Sequence, residues 1–368
     1  MNGSDKGRRD FLRSAGLIVG GLSITGFGVR LLNERLTPPE VEARVSSEVE
    51  RSLAQIAAAP NPMAALEAGI PGLAAEITPN DRFYVVSKNV FRDPIVDSKS
   101  WRLEVTGLVD RPLSLSYEAL KGLPAVEQYL TLQCISNEVG GELMGNAYWR
   151  GVALAELLNR AGLQPGAADV IVHAGDDYTD SIPIEKALQP GTMLAFEMNG
   201  QQLPANHGFP ARLLIPDIYG MKNVKWVTRM EVVDYDFKGY WQTRGWSDVA
   251  TMKTTSRIDI PKNRSFLRPG RNFVGGVAVA GQRGIQSVEV SVDGGTTWSQ
   301  ALTKPALGPF AWTLWLFEWD LSDSSDERSL MVRARDGNGA LQSGVRQETL
   351  PDGASGYHAI TTRRAQLL

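Results

Sequence analysis

The 368-residue chain has one cysteine and three histidines. One thiol cannot build a disulfide framework, a Cys-rich zinc site or an iron–sulfur cluster, each of which needs several thiolates. It also leaves no CxxCH haem attachment. His173, His207 and His358 stand far apart and form no HExxH pattern. A redox metal here must therefore take most of its ligands from something other than protein. Excess positive charge is lacking too: 38 Lys and Arg face 41 Asp and Glu, a formal charge of -3. No general basic field is available to hold nucleic acid, which is excluded as a partner on this ground.

What is present begins at the N-terminus. Arg8-Arg9-Asp10-Phe11-Leu12-Arg13 precedes an uncharged, Gly- and Ala-rich run from Ser14 to Val29 that closes at Arg30. This has the outline of a twin-arginine export signal, a route that carries proteins already folded. As a helix the run spans only ~24 Å, against a hydrocarbon core of ~30 Å. An uncleaved anchor and a removed signal both fit residues 1–33. The expected location is the periplasm or the outer face of the cytoplasmic membrane.

Residues 34–80 are polar and then Ala/Pro-rich (Thr37-Pro38-Pro39, Ala57 to Pro62, Ile70-Pro71-Gly72), which predicts a helix-containing linker. From Asp81, short apolar runs such as Phe83 to Val86 and Trp101 to Val105 predict strands, and Leu154 to Ala161 and Pro183 to Leu188 predict helices. The fold class is α+β over 81–256. Beyond that, Phe273 to Ala280, Val288 to Val292, Thr313 to Trp319 and Leu330 to Ala334 read as strands with Gly/Asp turns. Residues 257–368 therefore predict an all-β sandwich without helices.

Two segments carry chemistry. In the first, Leu130-Thr-Leu-Gln-Cys134-Ile-Ser-Asn137-Glu-Val-Gly140-Gly141, a strand delivers Cys134 to a polar, Gly-flanked turn. A lone cysteine is ordinarily a small buried hydrophobe. A packed apolar position has no need of such permissive neighbours, whereas a thiolate serving as a soft metal ligand does. The second runs from Leu203 through His207-Gly-Phe-Pro-Ala-Arg212 to Lys222-Asn223-Val-Lys225-Trp226. One imidazole, one guanidinium and two ammonium groups within 19 residues suit a phosphate. A solvated basic face is the plainer reading of this segment taken alone.

Together the two segments resemble the sulfite oxidase family of molybdopterin enzymes over roughly residues 80–345. Cys134-x-Ser-Asn137, His207-Gly-x-Pro-x-Arg212 and Lys222-x-x-Lys225-Trp226 carry the resemblance, with Phe83 to Asn89 and Trp101 to Gly107 similar to the family's opening. The tail after Arg257 is similar to its immunoglobulin-like dimerisation domain. The resemblance implies a sulfite oxidase-type molybdopterin-binding domain followed by an immunoglobulin-like sandwich, with a homodimer as the assembly. It implies the molybdenum–molybdopterin cofactor, its metal bonded to two pterin sulfurs, the Cys134 thiolate and oxo ligands; tungsten would share this geometry. Lys88, Asn89, Asn137, Asp177, His207, Arg212, Lys222, Asn223 and Lys225 are then expected to hold the cofactor, with Asp176 and Asp180 as alternatives to Asp177.

Departures from the pattern bear on the substrate. Family sulfite oxidases carry an Arg in the opening motif, a second just past the cysteine, and a Tyr in a Trp-Gln-x-x-Asp-Tyr-like run. The matching positions here are Lys88, the Glu138–Val139 region and Trp246, with Arg244 as a further cation. Lys88, Arg244 and Trp246 are accordingly the catalytic candidates beside Cys134, and sulfite is a poor match to them. The expected activity is oxygen-atom or two-electron transfer on a small sulfur-containing molecule, with a separate cytochrome or quinone-linked electron carrier. Reduction of methionine sulfoxide or another S- or N-oxide is the alternative direction, and a cofactor-free binding or assembly module is the alternative of another class. Ser291-Val-Asp293-Gly-Gly295-Thr-Thr-Trp298 matches an Asp-box. It predicts a hairpin turn rather than carbohydrate chemistry, which needs paired carboxylates. Trp312, Trp315 and Trp319 are expected in a core or dimer interface.

Overall fold

The computed structural model describes residues 61–89, 92–321 and 327–364. The twin-arginine segment, residues 1–33 and residues 34–60 of the expected linker lie outside the described residues. Among the described residues no helix is long and apolar enough to cross a membrane.

The remainder of that linker is part of the folded body. Asn61 caps the helix Pro62–Ala68, its Oδ1 accepting from Ala64 N at 2.8 Å, and Ala65, Leu66 and Ile70 are buried. Glu76 then reaches the C-terminal half, pairing with Lys304 at 2.7 Å and accepting from Trp312 Nε1 at 3.1 Å through its carbonyl. Small and cyclic residues suit a close-packed strap as well as a linker.

Two sheets follow. In the first, the order is Leu113–Ser116, Arg102–Gly107, Val227–Val233, Asp169–Ala174 and Thr179–Pro183, with only the Arg102–Gly107 and Val227–Val233 pair parallel. Leu103 and Val105 point inward while Arg102 and Glu104 face solvent, the period-two pattern of a sheet wet on one side. In the second, Ala125–Gln133, Met144–Ala153, Met193–Met198 and Gln201–Gln202 run in order, with Arg212–Leu214 also on Met193–Met198. Trp149 is fully buried at its centre, donating from Nε1 to Leu130 O at 3.1 Å. The helix Leu154–Ala161 buries Leu154, Leu157, Leu158 and Ala161, the i, i+3, i+4, i+7 face that seats it on the core. Ile184–Ala187 forms a single turn within the second expected helix.

Phe83 to Val86 is not a strand. It pairs with no strand among the described residues; instead the Phe83 ring meets Trp149 at 5.9 Å and His207 at 5.5 Å, both edge-on. The segment is a strap that lines the site.

The sandwich begins with Thr255–Ile260, two residues before the 257 boundary read from sequence. One sheet orders Thr255–Ile260, Gly270–Val279, Thr313–Leu321 and Leu302–Thr303; the other orders Phe266–Leu267, His358–Arg364, Glu327–Asp336, Ile285–Ser291 and Ser299–Gln300. Val274, Val288, Leu330, Val332 and the fully buried Trp315 interleave between them. Trp319 joins that core and Trp312 the neighbouring one, so neither is a sugar platform. The Asp-box is a turn: the Asp293 carboxylate accepts from Thr297 N, Thr297 Oγ1 and Ser291 Oγ, and Trp298 closes back on Gly295 O. Those bonds draw the half-buried Asp293 carboxyl down to about 2.

The sandwich also touches the turn that carries Cys134. Arg257 Nη1 donates to Gly141 O at 3.0 Å, and a side chain on Gly140 would collide with the His358 ring. Gly140 has φ 79°, so the double glycine answers both a left-handed turn and a close approach.

Candidate active site

Cys134 follows the last residue of Ala125–Gln133. Its N–H donates to Leu143 O at 2.9 Å and its carbonyl accepts from Asn137 N at 3.0 Å, which folds the following turn under the sulfur. Asn137 Oδ1 accepts from Leu143 N at 2.8 Å and locks that turn. The thiol is 8% exposed and lies 3.1 Å from Ser136 Oγ; burial pushes its pKa up, partly offset by that hydrogen bond. A side chain at Gly220 would stand 2.7 Å from Tyr84 Oη and 3.8 Å from Cys134 Cα. Glycine here leaves room for the Tyr84 hydroxyl where the turn Gly220–Lys222 approaches the cysteine. Burial, and then the charge of Cys134, holds the Tyr84 phenol well above its usual range.

The basic segment converges next to this. Arg212 is 5% exposed; it donates from Nη1 to His207 O at 3.1 Å and from Nη2 to Asn223 O at 3.3 Å, with the guanidinium 5.3 Å from the Trp149 ring centre. Burial draws its pKa down to about 10. Lys225 donates to Asn206 O at 3.0 Å and stands 4.1 Å from the Trp226 ring. Burial and the nearby Arg212 charge bring it down to about 8. His207 falls to about 4 for the same two reasons, so its ring is neutral, and its Nε2 donates to Asn80 O at 3.0 Å. Neither Arg212 nor Lys225 forms an ion pair among the described residues, and Trp226 between them and the sheet holds a positive φ of 52°, a sparsely populated conformation kept by its surroundings.

Other expected site residues take different places. Lys88 donates to Asp176 O at 2.6 Å and to Asn89 Oδ1 at 3.1 Å, and Asn89 Nδ2 donates to Asp176 Oδ2 at 2.9 Å. Asp176 is thus the carboxylate that meets the opening motif. Asp177, at φ 62°, lines a separate cleft of about 500 Å³ with Arg102, His173, Tyr178 and Arg229. Lys222 is a correction to the phosphate-binding set: its Nζ lies 3.0 Å from Asp180 Oδ1, 2.8 Å from Ser181 O and 3.4 Å from Asp248 Oδ1. Its charge is neutralised internally. The Asn223 side chain is likewise spent within the loop, accepting from Ile215 N and donating to Ile218 O and Tyr219 O; only its carbonyl reaches Arg212. Arg244 is exposed, 3.6 Å over the Tyr240 ring, and Trp246 packs edge-on against Trp241. Both belong to an aromatic rim that continues through Tyr240 to Tyr178 at 5.8 Å and have no bond to Cys134.

Three buried polar atoms of these segments have no hydrogen-bond partner among the described residues: Gln133 Oε1, Asn137 Nδ2 and Arg212 Nε. Native interiors rarely leave such atoms unmatched. Unsatisfied donors and acceptors beside a thiol, with two cations nearby that form no ion pair among the described residues, fit an anionic ligand rich in hydrogen-bonding groups. The described residues hold no cluster of three or more His, Cys, Asp or Glu, so a metal at Cys134 is carried by that ligand. Residues that sequence reading passed over are Tyr84, Tyr178 and Gly220; Asp180, an alternative to Asp177 in the sequence, pairs with Lys222 instead.

A molybdopterin oxidoreductase is the class these features define. The oxidoreductase molybdopterin binding domain matches residues 90–241 and the Mo-co oxidoreductase dimerisation domain matches residues 247–348. The chain belongs to the sulfite oxidase-like family of molybdopterin-dependent oxidoreductases, and its cofactor is the molybdenum–molybdopterin group. It is similar to mitochondrial sulfite oxidase of Macaca fascicularis, 30% identical over 307 residues covering 71% of this chain and 56% of the relative. It is also similar to sulfite oxidase of Arabidopsis thaliana, 29% identical over 275 residues covering 61% of this chain and 70% of the relative. The chain thus spans little more than half the length of the mitochondrial relative. Its fold matches the crystal structure of the sulfane dehydrogenase SoxCD from Paracoccus pantotrophus, with TM-score 0.69 and 24% identity over 80% of this chain and 85% of that one.

Proposed function

We propose that this chain catalyses two-electron oxygen-atom transfer on a small sulfur-containing molecule outside the cytoplasm. The observation that carries this is the buried Cys134 thiol, with Tyr84 between it and Arg212, and Lys225 nearby, two cations that form no ion pair among the described residues. On this reading Cys134 ligates the metal, Arg212 and Lys225 hold the cofactor's phosphate, and Asn137 Nδ2 and Gln133 Oε1 bond its polar edge. His207 and Asn89 position the surrounding loops. The cofactor supplies the two-electron redox chemistry; the chain binds it, orients it and keeps bulk water off the sulfur.

Sulfite is disfavoured as substrate by the state of the cations. Lys88 is bonded to Asp176 and Arg244 lies on the aromatic rim, so no guanidinium pair meets a doubly charged anion. A neutral thioether or sulfoxide suits the Tyr240, Trp241 and Trp246 rim better, which favours a sulfoxide reductase as the second reading. The twin-arginine outline supports export, the dimerisation domain supports a homodimer, and the single cysteine supports a separate cytochrome or quinone-linked electron carrier. The test is anaerobic mixing of loaded protein with sulfite, thioethers and, after chemical reduction, sulfoxides, following the metal's optical spectrum. Turnover is expected with an organic sulfur compound at least tenfold faster than with sulfite; a preference for sulfite would refute the substrate assignment.

A further inference from the structure

Behind Cys134 runs a line of ionisable groups that the proposed site leaves unused. The Tyr178 hydroxyl lies 2.8 Å from both Asp180 Oδ2 and Met221 O, so its one hydrogen can turn to either acceptor. Met221 belongs to the turn Gly220–Lys222 that closes over Cys134. Asp180 Oδ1 faces Lys222 Nζ at 3.0 Å, and the same Nζ faces Asp248 Oδ1 at 3.4 Å. Asp180 and Lys222 are 1% and 3% exposed, whereas Asp248 is 39% exposed and meets Lys238 at 2.5 Å on the surface. Gln242 Nε2 also approaches Asp180 Oδ2, at 3.4 Å, and Lys238 carries Asp236 as well. Charges are expensive to bury, and an apolar cluster of the same volume would stabilise the fold as well.

We propose that Tyr178, Asp180, Lys222 and Asp248 form the proton path between the redox centre and solvent. The inference rests on the oxygen-transfer reading above. In that reaction a substrate takes one oxygen from water, and two protons and two electrons leave; a one-electron carrier takes the electrons in two steps. Each proton passes from the Tyr178 hydroxyl to Asp180 and from the Lys222 ammonium to Asp248. Tyr178 is reprotonated from the site, and Lys222 is reprotonated from Asp180. Asp248 releases the proton to water, and reduction of an S-oxide runs the path inward. Burial, opposed by Lys222, raises the Asp180 carboxyl above its ordinary value.

Two variants test this in the loaded protein: Asp248→Asn, near the surface with the Asp180–Lys222 pair intact, and Tyr178→Phe, which removes one hydroxyl. Metal content is measured first. After a pH jump without substrate, relaxation of the metal's optical spectrum is expected to slow about tenfold in each loaded variant. Imidazole buffer and Asp248→Glu are expected to restore the rate, which a merely structural role would not do. Loaded variants that relax at the wild-type rate overturn the path and leave the oxygen-transfer reading standing. A wild-type protein without molybdenum, from a host that loads a related enzyme, overturns both.

Discussion

Replacing Cys134 by serine is expected to abolish turnover while leaving the fold in place. Cys134 is the only cysteine in the sequence, and hydroxyl oxygen is a hard, poorly ionised substitute for a soft ligand. A loss of about 10³-fold in kcat corresponds to ~4 kcal/mol of transition-state stabilisation. The side chain is nearly isosteric, and its neighbour Ser136 Oγ at 3.1 Å can bond the new hydroxyl. Thermal midpoint is therefore expected to move by only a few degrees, equivalent to about 1 kcal/mol. Cys134→Ser protein with the wild-type kcat and metal spectrum would remove Cys134 from the metal's ligands.

Lys222→Ala is expected to produce the largest loss of stability. It strips the partner from Asp180, which is 1% exposed, and breaking a buried pair from one side costs about 3–5 kcal/mol. The pH dependence has a definite sign. Burial already raises the Asp180 pKa, against the lowering influence of Lys222, and removing Lys222 raises it further. Between the unfolded value of ~3.9 and the raised folded value, the unfolded chain binds fewer protons than the folded one. Stability then falls as pH rises through that window. Urea midpoints from pH 4 to 8 are expected to drop with pH more steeply in the variant than in wild type. A midpoint equal to wild type across that range would mean that Lys222 does not neutralise Asp180.

Much of the site was legible because local rules produced it. A strand ending at Cys134, then a polar turn with Gly140 and Gly141, is written in consecutive residues, as is the i, i+3, i+4, i+7 face of Leu154–Ala161. The gathering of His207, Arg212 and Lys225 was visible as a short basic segment. What escaped depends on register between distant elements. Asp180 and Lys222 meet across 42 positions, and nothing near Lys222 distinguishes it from a phosphate ligand. Only the placement of Thr179–Pro183 beside the Gly220–Lys222 turn separates it from Lys225. Phe83 to Val86 has strand composition, yet the Phe83 ring is drawn onto Trp149 and His207, so tertiary packing overrode propensity. Residues 61–80 combine a capped helix, signalled by Asn61-Pro62, with a composition shared by linkers.

On the proposed function, a molybdenum–pterin group is held between Cys134 and the Arg212–Lys225 pair. Elemental analysis by plasma mass spectrometry, on protein purified from a host that makes the cofactor, tests it most directly. About one molybdenum per chain is expected, falling sharply in an Arg212→Met variant that still folds. Folded wild-type protein without molybdenum or tungsten, from a host shown to load a related enzyme, would rule out a cofactor held there and favour a cofactor-free binding module.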